Sequence, residues 1–475
     1  MTINSPEGNQ ALQAILADPG LPCSSPTKAF WQEPPFPFPE PNESTQLPQQ
    51  CDVVIIGSGI AGASVAYHLL QLNPGLSITI LEARTATSGA TGRNGGHIKD
   101  VPWNDYDEFV EAYGREAAKR FVRFKLAHLD AVTEAAKSMG IAEQCLVRRV
   151  DSATVNFSAE RWPKVKEARE RWLADFPELR STWTMYEGEE EILRRFGIRG
   201  AVGCSIVPAG AIWPYRFVTG TMNVLSKKHP DFKLFTLTPV TSIASSGNSE
   251  QPYIVKTARG SISASHVVHC TNGHAAHLLP ILRGKLFPFR GQMTAQAPPP
   301  TFPRVGHERS WSLRDKKRFD YMTQSPLSSG EIFIGGAEDG RLKEFGCTRD
   351  DELNPIALDH LSKVIAKDFE GGEGTRVVEK WTGIMGMSLD DLPWVGRIPE
   401  EVSGRRREGE ASEWIAAGFC GNGMVSAWLS GKAIAEMIVG GEDAVGEWFP
   451  KQMLACTMER LNKMDPEAYT KARLM

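Results

Sequence analysis

The stretch VVIIGSGIAGASVAYHLL, Val53 to Leu70, decides the fold. With SITILEA, Ser77 to Ala83, it reads as strand, glycine turn, helix and a second strand ending in an acid. Val53 to Ile56 are four β-branched residues in succession, the composition of a strand buried on both faces. Gly57, Gly59 and Gly62 have the G-x-G-x-x-G spacing. The first allows a tight turn, the second lets backbone approach a pyrophosphate, and the third lets helix pack closely on strand. Ser58, Ile60 and Ala61 fill the places between, at a helix N-terminus whose N–H groups and partial positive charge suit phosphate. Glu82 follows about twenty residues after the last glycine, where a carboxylate accepts hydrogen bonds from ribose hydroxyls. Because strand, turn, helix and acid agree, the reading is a bound adenine dinucleotide rather than a bare structural turn.

Working outward, 475 residues exceed one ordinary core and predict two domains. The net charge is −4, with no basic block of the kind that binds nucleic acid or anionic lipid. Arg405 to Arg407 sit in a polar run that reads as a solvated loop. No apolar run reaches membrane-spanning length, and the N-terminal residues lack the basic and apolar regions of a signal peptide. The eight cysteines include no C-x-x-C pair, so a reduced, cytoplasmic protein is expected and the sequons at Asn42 and Asn156 carry no weight. The last three residues, Arg473 to Met475, do not make a peroxisomal signal, although ARLM resembles one displaced by a residue. The run from His266 through His269, Cys270 and His274 to His277 looks metal-like but does not close a site. His266 and His269 would point to opposite faces of a strand, and two ligands on a helix are too few, so no metal is expected.

Residues 1 to 50 are proline-rich and are expected to lie extended, packed on the body through Trp31, Phe36 and Phe38. TATSGATGRNGGHIK, Thr85 to Lys99, is too glycine-rich for a regular element and points back toward the nucleotide. Apolar residues at near-helical spacing predict one long helix over 107–137, and another helix is expected over 159–174. Pro214 reads as the first turn of a helix. Strand signals then run to Cys270, and FPFRGQMTAQAP, FDYMTQSP and GEIFIGGAED suit an antiparallel sheet. Glu413 to Gly440 repeats the pattern of strand, glycine loop and helix.

Several of these motifs together resemble the FAD-dependent amine and amino-acid oxidases, the family of D-amino acid oxidase, glycine oxidase and monomeric sarcosine oxidase. The motifs are GSGIAG with Glu82, SGATGRNGG at Ser88 to Gly96, CTNG at Cys270 to Gly273, and FRGQ at Phe289 to Gln292. WTGIMGMSLDDLPWVG at Trp381 to Gly396 and AAGFCGNGM at Ala416 to Met424 complete the set. The γ-glutamylputrescine oxidase branch is the nearest in look, and the resemblance runs from Trp31 to about Gly440. It implies an α/β fold: a doubly wound, Rossmann-like FAD-binding domain of glutathione-reductase type, with an inserted α+β substrate domain built on an antiparallel sheet. The expected division gives 51–140, 200–285 and 375–475 to the FAD-binding domain, and 141–199 and 286–374 to the substrate domain. The activity implied is hydride transfer from a C–H beside nitrogen to flavin N5, hydrolysis of the imine, and reoxidation by O2 to hydrogen peroxide.

The resemblance also assigns residues. Ala83, Arg84, Ser88, Gly89, Ala90 and Arg93 belong to its FAD-contacting segments, and Asn94, Gly95 and Gly96 would bring backbone against the flavin ring. Val240 and Thr271, Asn272 and Gly273 would lie on the adenine side, with Val240 equally at home in a core. Trp381 and Gly383 fall in the flavin region, while Gly421, Asn422, Gly423 and Met424 would open a helix toward the flavin pyrimidine. His97, Tyr321 and Met385 are the candidates for substrate contact, with Met322 and Trp381 as further pocket walls. Arg290 could reach flavin or substrate, or pair with a carboxylate. Sarcosine oxidase relatives carry a lysine near the flavin, and Lys343 lies in a suggestive region. Two departures matter. Arg93 and Asp320 stand where relatives attach FAD covalently, so non-covalent FAD is expected. Met385 stands where glycine oxidase has a carboxylate-binding arginine, which favours a small primary or secondary amine over a free α-amino acid. The rival readings are a dehydrogenase or biosynthetic tailoring oxidase with another acceptor, and a non-catalytic flavoprotein acting as an assembly factor.

Overall fold

A computed structural model describes residues 5–38, 46–316, 318–337, 341–406, 409–454 and 457–474. Asn42, Arg407 and Met475 lie outside the described residues, as do Pro39 to Pro41. The nucleotide unit forms as its residues dictate: strand Gln50–Ile56, helix Ile60–Leu72 and strand Ile78–Leu81. These strands sit inside a first sheet ordered Trp394–Arg397, Ser412–Ala417, Gly260–His269, Gln50–Ile56, Ile78–Leu81, Phe232–Phe235, with the hairpin of Val240–Ser245 and Tyr253–Thr257 attached to Gly260–His269. Val53 and Ile55 face one core and Val54 and Ile56 another, so both faces are covered, as the β-branched run requires. On one face the helices Ile60–Leu72 and Ala427–Gly440 cross closely. A Cβ at Gly431 would fall 2.5 Å from Ser64 Cβ.

The second sheet runs Arg376–Ser388, Leu286–Ala297, Ile332–Gly336, Phe319–Gln324, Arg309–Arg314, Arg148–Asn156, Gly203–Ala211, His97–Ile98, with Thr184–Glu187 also on Gly203–Ala211. It is antiparallel except where Arg148–Asn156 and Arg309–Arg314 run parallel. Three segments expected in the FAD-binding domain, His97–Ile98, Gly203–Ala211 and Arg376–Ser388, are instead strands of this sheet. The last two pair along their length with strands of the substrate unit, Arg148–Asn156 and Leu286–Ala297 respectively, and hydrogen bonding overrides chain position.

Two further expectations are corrected. The long helix over 107–137 is three helices, Tyr106–Tyr113, Arg115–Leu126 and His128–Ser138: Gly114 at φ +82° makes the first break, and the second falls at Ala127, whose backbone stays in the αR region. The N-terminal segment is not extended throughout: Pro6–Leu16 is helical, with Pro6 in its first turn and Ser5 Oγ capping Gly8 N, and it buries Ala11, Leu12 and Ile15. Beyond it Trp31 is buried with Trp213, Phe333 and Trp381. No helix among the described residues is long and apolar enough to cross a membrane, and no group of three metal-ligating side chains occurs among them. His269 Nε2 lies 2.9 Å from Glu413, while His274 and His277 face Gly20 O and Asp18.

Candidate active site

Between the two sheets lies a cavity of 610 Å³, within the range of small-molecule and cofactor sites. One end is built by the glycine turn. Gly57 adopts φ +106°, and a Cβ there would fall 2.7 Å from Cys270 O. Gly62 does not line the cavity but works from behind, since its Cβ would stand 2.1 Å from Gly57 O. Glu82 is fixed by the turn it serves: Oε2 accepts from Ser58 N at 3.0 Å and Ser58 Oγ at 2.7 Å, and Oε1 accepts from Arg84 N at 2.9 Å. Ser58, Gly59, Ile60, Ala61, Ala83, Arg84, Val240, Asn272 and Gly273 line the same end. Thr271 lines it too, and its buried hydroxyl has no hydrogen-bond partner among the described residues. A polar group left open beside a glycine turn and a preset carboxylate suits the ribose and phosphates of FAD.

The middle of the cavity is a loop held by its backbone carbonyls. Trp381 Nε1 donates to Arg93 O at 2.8 Å, Trp31 Nε1 to Asn94 O at 2.5 Å, Thr323 Oγ1 to Gly95 O at 2.7 Å, and Ile212 N to Gly96 O at 2.9 Å. Four successive carbonyls are thus tied to four different parts of the chain. Gly89, Ala90, Arg93, Asn94 and Gly95 line the cavity, whereas Ser88, Gly96 and Trp381 lie behind it. Trp381 is therefore not a pocket wall; it is fully buried and holds the loop. Gly96, at φ +67°, gives room to Ile212 O, 2.3 Å from where its Cβ would be. Arg93 donates to Ser88 O, Thr382 O and Thr27 O, and burial lowers its pKa to about 10.

The second sheet covers the loop. Period-two alternation sends Tyr321 toward the cavity, with a Gly95 Cβ position 2.8 Å from its ring, and sends Met322 into the core behind. Met322 is accordingly not a pocket wall. Met385 and Gly383 line the cavity, as do Gly421, Asn422, Gly423 and Met424. Those glycines do not open the long helix directly: a 3-10 turn, Gly423–Val425, precedes its start at Ala427. Arg290 is committed to Glu344, 2.5 Å away. Lys343 is exposed and does not line the cavity.

Past Gly95 the wall becomes polar, along one face of Arg309–Arg314. Ser310 Oγ lies 2.8 Å from His97 Nε2, Lys99 Nζ donates to Ser312 Oγ at 2.8 Å, and Arg314 stacks its guanidinium 4.3 Å from the Phe319 ring centroid. Burial holds the His97 imidazole neutral, well below its usual pKa. Asp100 pairs with the buried Lys125 at 2.9 Å, and burial raises the pKa of Asp105. Lys99, Asp100, Asp105, Ser312 and Arg314 were missed by sequence reasoning, as were Gly20, Leu21 and Pro22, which line the nucleotide end. For Lys99 a signal existed: two residues after His97, it must share that residue's strand face.

A family model described as FAD dependent oxidoreductase matches residues 52–437. The chain belongs to this family of FAD-dependent oxidoreductases. This oxidoreductase is 23% identical over 421 residues to γ-glutamylputrescine oxidoreductase of Escherichia coli, covering 85% of this chain and 86% of that protein. It is 23% identical over 402 residues to glycine oxidase of Bacillus licheniformis, covering 82% of this chain and 93% of that one. Among solved structures, L-proline dehydrogenase from P. horikoshii superposes with a TM-score of 0.65 at 21% identity, covering 86% of this chain and 98% of that one. Glycine oxidase from Geobacillus kaustophilus gives 0.63 at 19%, covering 82% and 95%.

Proposed function

We propose that this FAD-dependent oxidoreductase oxidises the C–N bond of a small amine to an imine and passes the electrons to O2. The observation that carries it is the packing of Tyr321 and Met293 against Gly95, in a cavity that Met385 also lines and whose polar end holds Lys99, Ser312 and Arg314. FAD, when bound, supplies the two-electron acceptor. The protein's own part is placement: Asn94 and Gly95 offer backbone at close range, the Tyr321 ring and the Met385 side chain exclude water, and the polar end receives the amine. Gly421 to Gly423, just before the long helix, supply backbone on the opposite side.

FAD is held without a covalent bond in this reading. Arg93 is locked in hydrogen bonds, and Asp320 is committed to Arg318 and His360. The Cys420 thiol, which also lines the cavity, is pushed up to about 12 by burial and donates to Gly418 O, so it is a poor nucleophile.

Met385 removes the carboxylate fork from one wall, yet Arg314 lines another, and this supports a second reading in which the substrate carries a carboxylate remote from its amine. An anaerobic titration separates these readings, following flavin bleaching by γ-glutamylputrescine, putrescine, glycine and L-proline. Bleaching by putrescine supports the plain amine, and bleaching by γ-glutamylputrescine alone supports the carboxylate-bearing one. Bleaching by glycine or L-proline alone overturns the preference for amines. Mixing the reduced protein with O2 then tests the acceptor: slow reoxidation beside fast reaction with an artificial dye would make it a dehydrogenase.

A further inference from the structure

Lys99 is half-buried on the cavity wall, and the mechanism above leaves it unused. Its Nζ lies 2.6 Å from Thr154 Oγ1 and 2.8 Å from Ser312 Oγ. These hydroxyls are side by side because Thr154 and Ser312 are register partners on parallel strands. No carboxylate lies within 4 Å of Nζ among the described residues. An ammonium has three donors and no acceptor, whereas a neutral amine that gives its two N–H groups to two hydroxyls keeps a lone pair for a third direction. Lys99 itself lines the cavity.

We propose that Lys99 is the base that takes the proton from the substrate's ammonium group before oxidation. An amine enters at neutral pH mostly as the cation, and only the neutral form has the nitrogen lone pair that becomes part of the C=N bond. In the proposed step one N–H bond of the substrate breaks, and its electron pair stays on the substrate nitrogen. A new N–H bond forms on Lys99 Nζ, and the positive charge moves from substrate to lysine. The proposal rests on the amine reading above.

The surroundings favour a neutral lysine able to accept that proton. Burial holds its pKa well below 10.5, with the charge of Arg314 on the neighbouring strand adding to the effect. Asp100 and the Cys204 thiol act in the opposite sense, and Asp100 Oδ2 is buried with no hydrogen-bond partner among the described residues, so it can stabilise the ammonium once formed. Lys125, paired with Asp100, also lies nearby, as do His97, its pKa lowered by burial, and Asp105, its pKa raised by burial. A lysine with an ordinary pKa would meet the substrate as a like charge and repel it.

Two measurements on the FAD-loaded enzyme test this. In protein labelled with 15N at lysine Nζ, the resonance missing from Lys99→Arg should titrate well below the value of about 10.4 for a free lysine. A resonance that stays in the ammonium form to pH 10 overturns the proposal. Flavin reduction by the fastest amine of the titration panel should slow about 1,000-fold at pH 7 in Lys99→Met, the shortage of neutral amine about three units below a pKa of ~10. It should then recover about tenfold per pH unit and meet the wild type near the amine's own pKa. A loss independent of pH would mean a structural role and would also overturn it. Lys99→Gln, which keeps donors for both hydroxyls, should behave like Lys99→Met and serves if that variant folds poorly. If no amine bleaches the flavin, the functional reading fails, while the nitrogen titration still decides whether the cavity holds a neutral lysine.

Discussion

At the residue scale, Gly62 acts by what it lacks. It never touches the cavity, yet a methyl group there would stand 2.1 Å from Gly57 O, backbone that cannot yield without opening the phosphate turn. Gly62→Ala is expected to purify colourless, without flavin absorbance, and to lose ~2–3 kcal/mol or more in denaturant unfolding. The residues fully legible in the sequence were of this kind, fixed by one local rule. Gly57, Gly62 and Glu82 obey the spacing of a single βαβ unit, so no distant partner was needed to read them. Tyr321 and Met322 show the limit. Alternation says that only one can face the cavity, but which one depends on the face against which the loop at Gly95, from far earlier in the chain, is packed. Lys99 was missed for the same reason, since its hydroxyl partners come from residues 154 and 312.

At the element scale, the helix Ala427–Gly440 depends on a histidine from another helix. His128 Nδ1 donates to Phe124 O at 2.8 Å, so Nε2 is an acceptor, and Leu429 N in the first turn donates to it at 3.2 Å. Burial lowers the pKa of His128 to about 4. Between pH 6.5 and 4 the unfolded chain binds this proton and the folded chain does not, so stability is complete above 6.5 and falls as the pH drops to 4. The shift corresponds to on the order of 3 kcal/mol. Urea unfolding of the wild type from pH 7 to 4 should show this loss, and His128→Phe should flatten that part of the profile while costing stability at pH 7. The helix itself was readable from its apolar residues. Its cap was not, because nothing local marks an acceptor supplied from 301 residues away. The break at Gly114 was legible in principle: one glycine in YGRE sits where the periodic pattern runs on regardless.

At the scale of the whole molecule, a buried ion pair joins the two layers. Arg84, two residues after Glu82, donates to both oxygens of Asp350 at 3.1 and 2.9 Å, and Arg93 approaches the same carboxylate at 3.8 Å. Asp350→Asn leaves two buried guanidinium groups short of a counter-charge and should cost about 3–5 kcal/mol. The measurement is the thermal midpoint of apo and FAD-loaded protein, with both expected to fall. Sequence could place Arg84 beside the nucleotide, but not Asp350, which lies 266 residues on. The general architecture was legible because motif order follows chain order. The assignment of Gly203–Ala211 and Arg376–Ser388 was not, because strands join a sheet by hydrogen bonding rather than by their neighbours in sequence.

The two tryptophans that grip Arg93 O and Asn94 O stand at residues 381 and 31. On the ribosome Trp31 emerges ahead of the glycine loop, whereas Trp381 follows Arg93 by 288 residues. A nascent chain halted before residue 381 therefore carries every glycine of the G-x-G-x-x-G turn but lacks one of the two indole anchors of the loop beside it.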